Sequence, residues 1–411
     1  MIHSKQSQVS MESIKKGRMT SCSDIHQLLP ENVVIEILLR LPVNSLIRAR
    51  AVCKNWYTII INPSFVSEHY DHPSNSARLF VHRYDEISSG YAFSLFPDQT
   101  LAGYPPAYQN VVVDMFFYMD VSLYNGILCL SSRNQSKGFA LWNPATREFR
   151  SLPVFRLNFP PDVVIFKEIF GFGLDPITND YKVVWIWDTL DSNEAIRGPY
   201  QAAVYTLSTD SWRYLGHVAT PYTTIYNPQS NTCINGVHYW RTTNKENDHP
   251  LILSFDMGNE LFHNIRDIPS SHGVLASYNN SLALIDADSR PFVDIWVMRE
   301  EGCWTKLFTF EIIRGVDRPL GFWKNGQLFM ESDDGFMTLY DPVTHEIKDL
   351  GTRFIADDPL LYRESLVPIR GRNGFLEQDQ LSDVDQVLNF SNEFIYRPLH
   401  LTKILKFLVC I

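Results

Sequence analysis

The sequence is poor in the residues that build metal sites and redox centres. Its six cysteines are scattered over 411 residues, and no Cys-x-x-Cys pair occurs. Zinc ribbons and thiol redox motifs need closely spaced cysteines, so neither is predicted. We expect cysteines that pack as small hydrophobic residues in a reducing compartment, without structural disulfide bonds.

Known catalytic motifs are also missing. The chain has no His-Glu-x-x-His, no phosphate-binding P-loop and no Gly-x-Ser-x-Gly. Gly171 and Gly173 lack the third glycine of a dinucleotide fingerprint and run into Asp175, so we predict a turn there. His69 and His72 lie on a predicted linker, where a solvated pair is a simpler interpretation than a metal site. No catalytic residue, metal ligand or cofactor is therefore predicted.

Long apolar runs and positive charge are scarce. No stretch of 18 apolar residues exists, and the basic start of the chain lacks the apolar core of a secretory signal. The formal net charge is −10, although residues 1–70 carry eight Lys and Arg against five Asp and Glu. The remainder is strongly acidic and would repel phosphates. We predict no membrane or nucleic-acid partner, and an acidic body that suits a basic protein partner.

One stretch near the start has helical periodicity. An apolar stripe lies between Pro30 and Pro42, and two further short helices follow, the first with Asn44 as its predicted cap. A unit this small has little interior in which to bury its apolar residues. We therefore expect it to dock either on the rest of the chain, as a helical cap, or on another protein.

The spacing within this stretch resembles the F-box. Leu29-Pro30, an amphipathic helix, Leu41-Pro42 and then Val52-Cys53-Lys54-x-Trp56 occur in the order typical of that motif. The resemblance implies binding to a Skp-type adaptor and, through it, to a cullin. The implied adaptor-binding residues are Leu29, Pro30, Val34, Ile37, Leu38, Leu41, Pro42, Leu46, Val52, Cys53 and Trp56. Of these, we expect Leu29, Pro30, Ile37, Leu38, Leu41 and Val52 to be partly exposed in one apolar patch.

From Arg78 onward the pattern is that of short β-strands. Asn-Gly or Asn-Asn turns at residues 125, 235, 279 and 325 each precede an apolar strand, and the last three recur at roughly 45-residue spacing. Such a unit is typical of a propeller blade. The sequence predicts an α+β multidomain protein, with a three-helix module followed by a propeller of about six blades. A β-sandwich is the alternative, but it does not explain the repeat.

These patterns also define domains and a mode of closure. We predict a disordered leader over 1–23, the helical module over 24–70, a linker over 71–76, the propeller over 77–375 and a tail over 376–411. The strands at 79–84 and 91–96 should pair with the late strand Leu361–Ile369, because pairing early and late strands removes exposed edges. The apolar end at 401–411 is too short to span a bilayer.

The strand region resembles the F-box-associated domain of plant F-box proteins. The matching phrases run over 141–153, 171–184 and 252–257, and later phrases over 294–298, 303–308 and 362–366 are similar to the S-locus branch. The resemblance implies a non-catalytic substrate-recognition subunit of an SCF-type cullin ubiquitin ligase, cytoplasmic or also nuclear. Its target in the S-locus branch would be an S-locus ribonuclease. The alternatives are a propeller scaffold unrelated to ubiquitin and a propeller hydrolase or oxidase.

The acidic excess suggests where a target would bind. Asp333, Asp334, Asp357 and Asp358 fall in predicted blade turns, which project from the ends of a propeller. Together with other acidic turns they would create a negative field that attracts a basic partner. Solubility alone explains the same charges equally well.

Overall fold

The computed structural model describes most of the chain. It covers residues 30–85, 90–96, 109–113, 119–132, 138–156, 160, 162–191, 196–218, 222–225, 231–244, 249–266, 268–270, 273–287, 291–311, 316–353, 359–369 and 388–389. Two compact units are present: a helical unit, which comprises the chain up to Ser76 together with Arg363–Val367, and a β unit formed by the rest. The predicted leader lies outside the described residues, as does most of the tail.

The helical unit contains four described helices, the three of the predicted module and one more that follows them. They are α1 (Glu31–Leu39), α2 (Val43–Ala49), α3 (Lys54–Ile60) and α4 (Pro63–Asp71). Proline occupies the N-cap position of both α1 and α2. In α4, the Asn62 side chain caps the helix by accepting a hydrogen bond from the Ser64 N–H at 2.9 Å, and Pro63 fills the first helical position.

The start of α2 differs from the prediction. We expected Asn44 to cap this helix, but the helix begins one residue earlier, at Val43, and Pro42 has no side-chain acceptor to offer. The Val43 N–H instead donates to Glu364 Oε2 at 3.0 Å. Residues 363–367, which we had placed in the propeller domain, thus belong to the helical unit.

The β unit contains six sheets among the residues that the structure describes. Sheet 1 contains β1 (Arg78–Asp85), β2 (Gly90–Phe96), β3 (Gln109–Val113), β26 (Leu360–Tyr362) and β27 (Leu388–Asn389). Sheet 2 contains β4 (Met119–Tyr124), β5 (Ile127–Ser132), β6 (Phe139–Asn143) and β7 (Glu148–Ser151). Sheet 3 contains β8 (Val163–Asp175), β9 (Asp180–Asp191), β10 (Ile196–Arg197), β11 (Gln201–Thr206) and β12 (Ser211–His217).

The remaining three sheets follow in chain order. Sheet 4 contains β13 (Tyr222–Ile225), β14 (Asn231–Ile234), β15 (Val237–Asn244), β16 (Pro250–Asp256) and β17 (Leu261–Ile265). Sheet 5 contains β18 (Val274–Tyr278), β19 (Ser281–Asp286), β20 (Phe292–Glu300) and β21 (Cys303–Glu311). Sheet 6 contains β22 (Val316–Phe322), β23 (Leu328–Ser332), β24 (Phe336–Tyr340) and β25 (Ile347–Arg353), with a short 3-10 helix (Lys324–Gly326) before β23.

The sheets are arranged as a propeller. The inner strands contact one another in succession, β4 with β8, β8 with β14, β14 with β18 and β18 with β22. Each pair of neighbouring sheets buries an apolar layer, such as Ile169 and Val184 of sheet 3 against Trp240 and Phe255 of sheet 4. The predicted fold, a small helical module followed by a propeller of about six blades, is confirmed.

Sheet 1 closes the ring as the sequence predicted. The late strand β26 pairs with β1, with Tyr362 opposite Arg78 and Leu360 opposite Phe80. Phe80 and Tyr362 pack on sheet 2, while Leu79 and Val81 pack on sheet 6. The late strand is shorter than expected, because residues 363–369 are not β-strand.

The turn asparagines have the backbone conformation that tight hairpins require. Asn125, Asn235, Asn279 and Asn325 have φ between 47° and 58°, in the left-handed region that asparagine tolerates well. Gly171 and Gly173 do not form the turn that we predicted, because both lie inside β8. Of the described helices, none is long and apolar enough to cross a membrane.

Candidate functional site

The helical unit is held together by a small apolar core. The buried side chains come from all four helices and include Val34 and Leu38 of α1, Leu46 of α2, Trp56 of α3 and Phe65 of α4. Within a helix the buried positions recur at three- and four-residue spacing, as Val34 and Leu38 do in α1. Each helix therefore turns one apolar face inward. The core therefore uses residues that we had predicted to contact an adaptor.

The predicted adaptor-binding residues divide into three groups by exposure. Val34, Leu38, Leu46 and Trp56 are buried, and Ile37, Leu41 and Cys53 are half-buried, whereas Pro30, Pro42 and Val52 are exposed. Leu29 lies outside the described residues. The expected exposure of Leu38 is wrong, since its relative exposure is 0%: it faces the core of its own unit.

The helical unit exposes further apolar side chains besides the predicted ones. Tyr57 and Ile61 are 49% and 44% exposed, and Val52 is 37% exposed. Tyr57 and Ile61 are four residues apart, so they share one face of the helical turn, while Trp56 and Ile60 take the inward face. Tyr57 and Ile61 are not among the predicted adaptor-binding residues. The same spacing rule that predicted the core could have identified this outward face.

The surface carries no dominant charge. Residues 30–76 contain four Lys and Arg and four Asp and Glu, and Glu36 and Arg40 form an ion pair one turn apart on α1. Both side chains of that pair are exposed, so it contributes little to stability. Contact through this unit would therefore depend chiefly on apolar burial.

The histidine and cysteine of this unit differ from expectation. His69 does not lie on a solvated linker: it is buried in α4, and its Nε2 is hydrogen-bonded with the Leu41 carbonyl at 2.8 Å. Burial lowers its pKa below the usual value, against the opposing effect of that hydrogen bond. Cys53 is disulfide-bonded, which corrects our expectation of no disulfide bond. Cys129, Cys233 and Cys303 are free thiols.

The predicted target-binding aspartates are only partly described. Asp333 and Asp334 are exposed in the β23–β24 turn, whereas Asp357 and Asp358 lie outside the described residues. Consecutive antiparallel strands alternate in direction, so the β23–β24 turn and the β20–β21 turn, with Glu300 and Glu301, project from opposite ends of the propeller. The acidic turns therefore do not all share one end.

A different acidic residue is structural rather than exposed. Asp188 is buried and accepts a hydrogen bond from the Lys167 N–H at 2.7 Å, where the β8–β9 register shifts. Lys182 is buried between Asp175 and Glu260, with each of these ion pairs 2.8 Å long. Hydrogen bonds from Lys182 and from the turn after Asp175 lower the pKa of Asp175 to about 2, although burial acts strongly in the opposite direction. The ion pair of Lys182 with Glu260 joins sheet 3 to sheet 4.

Sheet 3 also carries a large aromatic cluster. Trp185 and Trp187 lie with their ring centroids 4.5 Å apart, and Phe155 packs on both. Trp212 extends the cluster to Phe139 of sheet 2 and donates its indole N–H to the Pro153 carbonyl. The tryptophans thus join neighbouring blades. Among the described residues, no group of His, Cys, Asp or Glu is placed to hold a metal ion.

Comparison with known families matches both units. Residues 27–68 match the F-box domain, and residues 88–314 match the F-box associated beta propeller domain. The second match alone covers more than half of the chain. The two matches occur in the same order as the helical and β units.

Individual relatives that match most of the chain are named as F-box proteins. The chain is 26% identical to F-box protein CPR1 of Arabidopsis thaliana, over 82% of this chain and 87% of that protein. It is also 26% identical to a putative F-box/kelch-repeat protein of the same plant, At1g13200, over 82% of this chain and 90% of the relative. Among solved structures, an oligogalacturonate lyase superposes with a TM-score of 0.35 at 9% identity, covering 66% of this chain and 83% of the lyase. That likeness is too weak to indicate a shared activity.

Proposed function

This chain belongs to the plant F-box proteins that carry an F-box-associated β-propeller domain, and on that premise we propose that it is the substrate-recognition subunit of an SCF-type ubiquitin ligase. Its helical unit binds a Skp-type adaptor and, through the adaptor, a cullin. Its propeller binds the target protein. The chain itself performs no chemistry in this proposal, and ubiquitin transfer is carried out by other subunits.

The observation that supports adaptor binding is the apolar surface of the helical unit. Pro30, Pro42, Val52, Tyr57 and Ile61 are exposed on a unit whose core is already filled. Covering apolar side chains of this size releases roughly 25 cal/mol for each Å² removed from water. Amphipathic helices that dock an apolar face on a partner are a common mode of protein recognition. An adaptor of the Skp type is the partner that the F-box match indicates.

The contribution of the chain to ubiquitin transfer would be proximity. A chain that binds the adaptor through one unit and the target through the other brings the target close to the conjugating enzyme. This raises the effective concentration of target lysines. Such a role requires two independent binding surfaces on one chain. The chain has two compact units, and we assign one such surface to each of them. We place the complex in the cytoplasm, with the nucleus as a second location.

For the target, we propose a basic protein that is bound at the propeller end from which the β23–β24 turn projects. Asp333 and Asp334 are exposed there, whereas Asp357 and Asp358, the other two predicted target-binding residues, lie outside the described residues. A negative field would raise the rate of association with a cationic protein, and salt screens such a field over about 8 Å at physiological ionic strength. An S-locus ribonuclease is one candidate of this charge class, which follows from the sequence phrases over 294–298 and 362–366.

Adaptor binding can be tested with surface variants that spare the core. Val52→Asp places a charge on an exposed apolar position, and Pro30→Ala alters a second exposed residue of the predicted contact. Ile177→Asp is a matched control, because Ile177 is 68% exposed in a propeller turn. The double variant should lose the adaptor in a copurification assay, whereas the control should retain it. Equal retention by all forms would show that the adaptor does not bind through this surface. Absence of the adaptor from the wild type would favour the alternative, in which the helices cap a scaffold unrelated to ubiquitin.

Target binding is tested separately by charge reversal. Replacing Asp333 and Asp334 by lysine should slow association with a cationic target and reduce its dependence on salt, while adaptor binding remains intact. Reversing Glu300 and Glu301, on the opposite end, is the matched control. If both pairs of substitutions alter association equally, only the net charge matters and this end is not the recognition surface.

A further inference from the structure

A short segment from the far end of the sequence forms part of the helical unit. Arg363–Val367 belongs to that unit, whereas Tyr362 before it and Pro368 after it belong to the β unit. Three consecutive residues of the segment, Glu364, Ser365 and Leu366, are buried, with exposures of 8%, 1% and 1%. A glutamate is rarely buried without hydrogen-bond partners, so its contacts are informative.

The Glu364 carboxylate completes the start of α2. Its Oε2 accepts a hydrogen bond from the Val43 N–H at 3.0 Å. The first N–H groups of a helix have no partner within the helix, and Pro42 at the N-cap position has no side-chain acceptor. A negative charge at this end of a helix is also favourable. Glu364 therefore performs the capping role that a serine or aspartate before the helix usually performs.

The backbone of the same residue is bound by Asn75, which follows the last helix. Asn75 Nδ2 donates to the Glu364 carbonyl at 2.9 Å and to the Tyr70 carbonyl at 3.2 Å. Asn75 thus joins the C-terminal turn of α4 to the segment, while the Glu364 side chain joins the segment to α2. The segment therefore contacts both the second helix and the last helix of the unit.

Both ends of the segment are fixed by strands of the β unit. Tyr362, in β26, packs in the apolar layer with Phe80 and Trp142. On the other side, the Ile369 N–H donates to Glu148 Oε2 at 3.0 Å, and Arg150 Nη1 donates to the Ile369 carbonyl at 3.2 Å. The residues on either side of the segment are therefore positioned by the sheets that close the propeller.

We propose that Arg363–Val367 is a required part of the adaptor-binding unit, with Glu364 as the positioning residue. The helices reach the form that binds the adaptor only when the closing strand β26 is in place and delivers Glu364 to the start of α2. A chain with an incomplete propeller would then be a poor adaptor ligand, so that only fully folded receptors enter the ligase. The link to adaptor binding rests on the proposed function, whereas the structural role of the segment does not.

The test uses hydrogen exchange of the full-length protein, followed by mass spectrometry. In Glu364→Ala, amides of peptides covering 43–49 should exchange roughly tenfold faster or more, because a hydrogen bond to a charged group is lost. Glu364→Gln keeps an oxygen acceptor without the charge and should fall between that variant and the wild type. Glu68→Ala, an exposed glutamate of α4, is the matched control. Peptides from sheets 3 to 5 should exchange at wild-type rates in every variant.

Adaptor affinity is measured on the same four proteins. Glu364→Ala should weaken adaptor binding by the factor by which it lowers the population of the binding-competent form of the helices, although Glu364 is buried and distinct from the exposed apolar surface. If its 43–49 peptides exchange as in Glu68→Ala, the proposal is overturned. Faster exchange with unchanged affinity would overturn the coupling to adaptor binding. If the wild type does not bind the adaptor but the exchange difference is found, the proposed function fails and the structural role stands.

Discussion

Replacing Gly171 by alanine should destabilise the propeller through a single methyl group. Gly171 lies in β8, directly against the rings of His238 and Trp240. A Cβ at this position would lie 2.6 Å from Trp240 Cζ2 and 2.7 Å from His238 Cγ. The optimal separation of two non-bonded carbon atoms is about 3.5–4.0 Å, so both distances are far too short. Either the rings or strand β8 would have to move.

The rings have little freedom to do so. His238 and Trp240 are 0% and 1% exposed, and their ring centroids are 4.5 Å apart. Trp240 also donates its indole N–H to the Phe170 carbonyl at 3.2 Å. Overpacking of a filled core costs about 1–3 kcal/mol. For a domain of this size, we expect the melting temperature to fall by roughly 2–12 °C.

Thermal unfolding of the full-length protein, followed by circular dichroism, measures this effect. Gly138→Ala is the matched control, because a Cβ at Gly138 would meet nothing within 4 Å. The control should melt within about a degree of the wild type, since substitutions without a new contact usually have small effects. If Gly171→Ala melts with the control, the close packing of sheets 3 and 4 at this point is wrong.

Two further predictions follow from buried titratable groups. Burial lowers the pKa of His238 to about 3, so the unfolded chain binds a proton below about pH 6.5 that the folded protein does not bind. The free energy of unfolding should therefore fall as pH decreases from 6.5 towards 3, by about 3 kcal/mol at pH 4.5. Denaturant unfolding should show a smaller pH dependence for His238→Gln than for the wild type. An equal pH dependence would contradict the lowered pKa of His238. Among the free thiols, Cys303 is exposed, whereas burial raises the pKa of Cys233 to about 12 and that of Cys129 well above its usual value. N-ethylmaleimide should label Cys303 in the native protein and should reach Cys129 and Cys233 only after unfolding, which peptide mass spectrometry can verify.

Local signals in the sequence predicted much of the architecture. The Asn-Gly pairs at 125 and 235 require backbone angles that few other residues adopt, so they identified hairpins reliably. Their recurrence indicated blades, and the need to remove strand edges indicated that early and late strands pair. The apolar spacing in α1 likewise predicted a helix between Pro30 and Pro42.

Contacts between distant residues could not be predicted in the same way. Glu364 and Val43 are separated by 321 positions, so no local pattern links them. The exposure of Leu38 was wrong because helical spacing identifies an apolar stripe without revealing which of its members face the core. Gly171 was mistaken for a turn residue because the rings that exclude a Cβ come from the next sheet.

Direct binding of a purified Skp-type adaptor to the full-length chain tests the central claim. Isothermal titration calorimetry should show a one-to-one complex for the wild type and for Ile177→Asp. The combination of Val52→Asp with Pro30→Ala should show no heat of binding while retaining the wild-type melting temperature. Absence of binding by the wild type would contradict the assignment of this chain as an adaptor-bound substrate receptor, and equal binding by the surface variant would contradict the surface assigned to that contact.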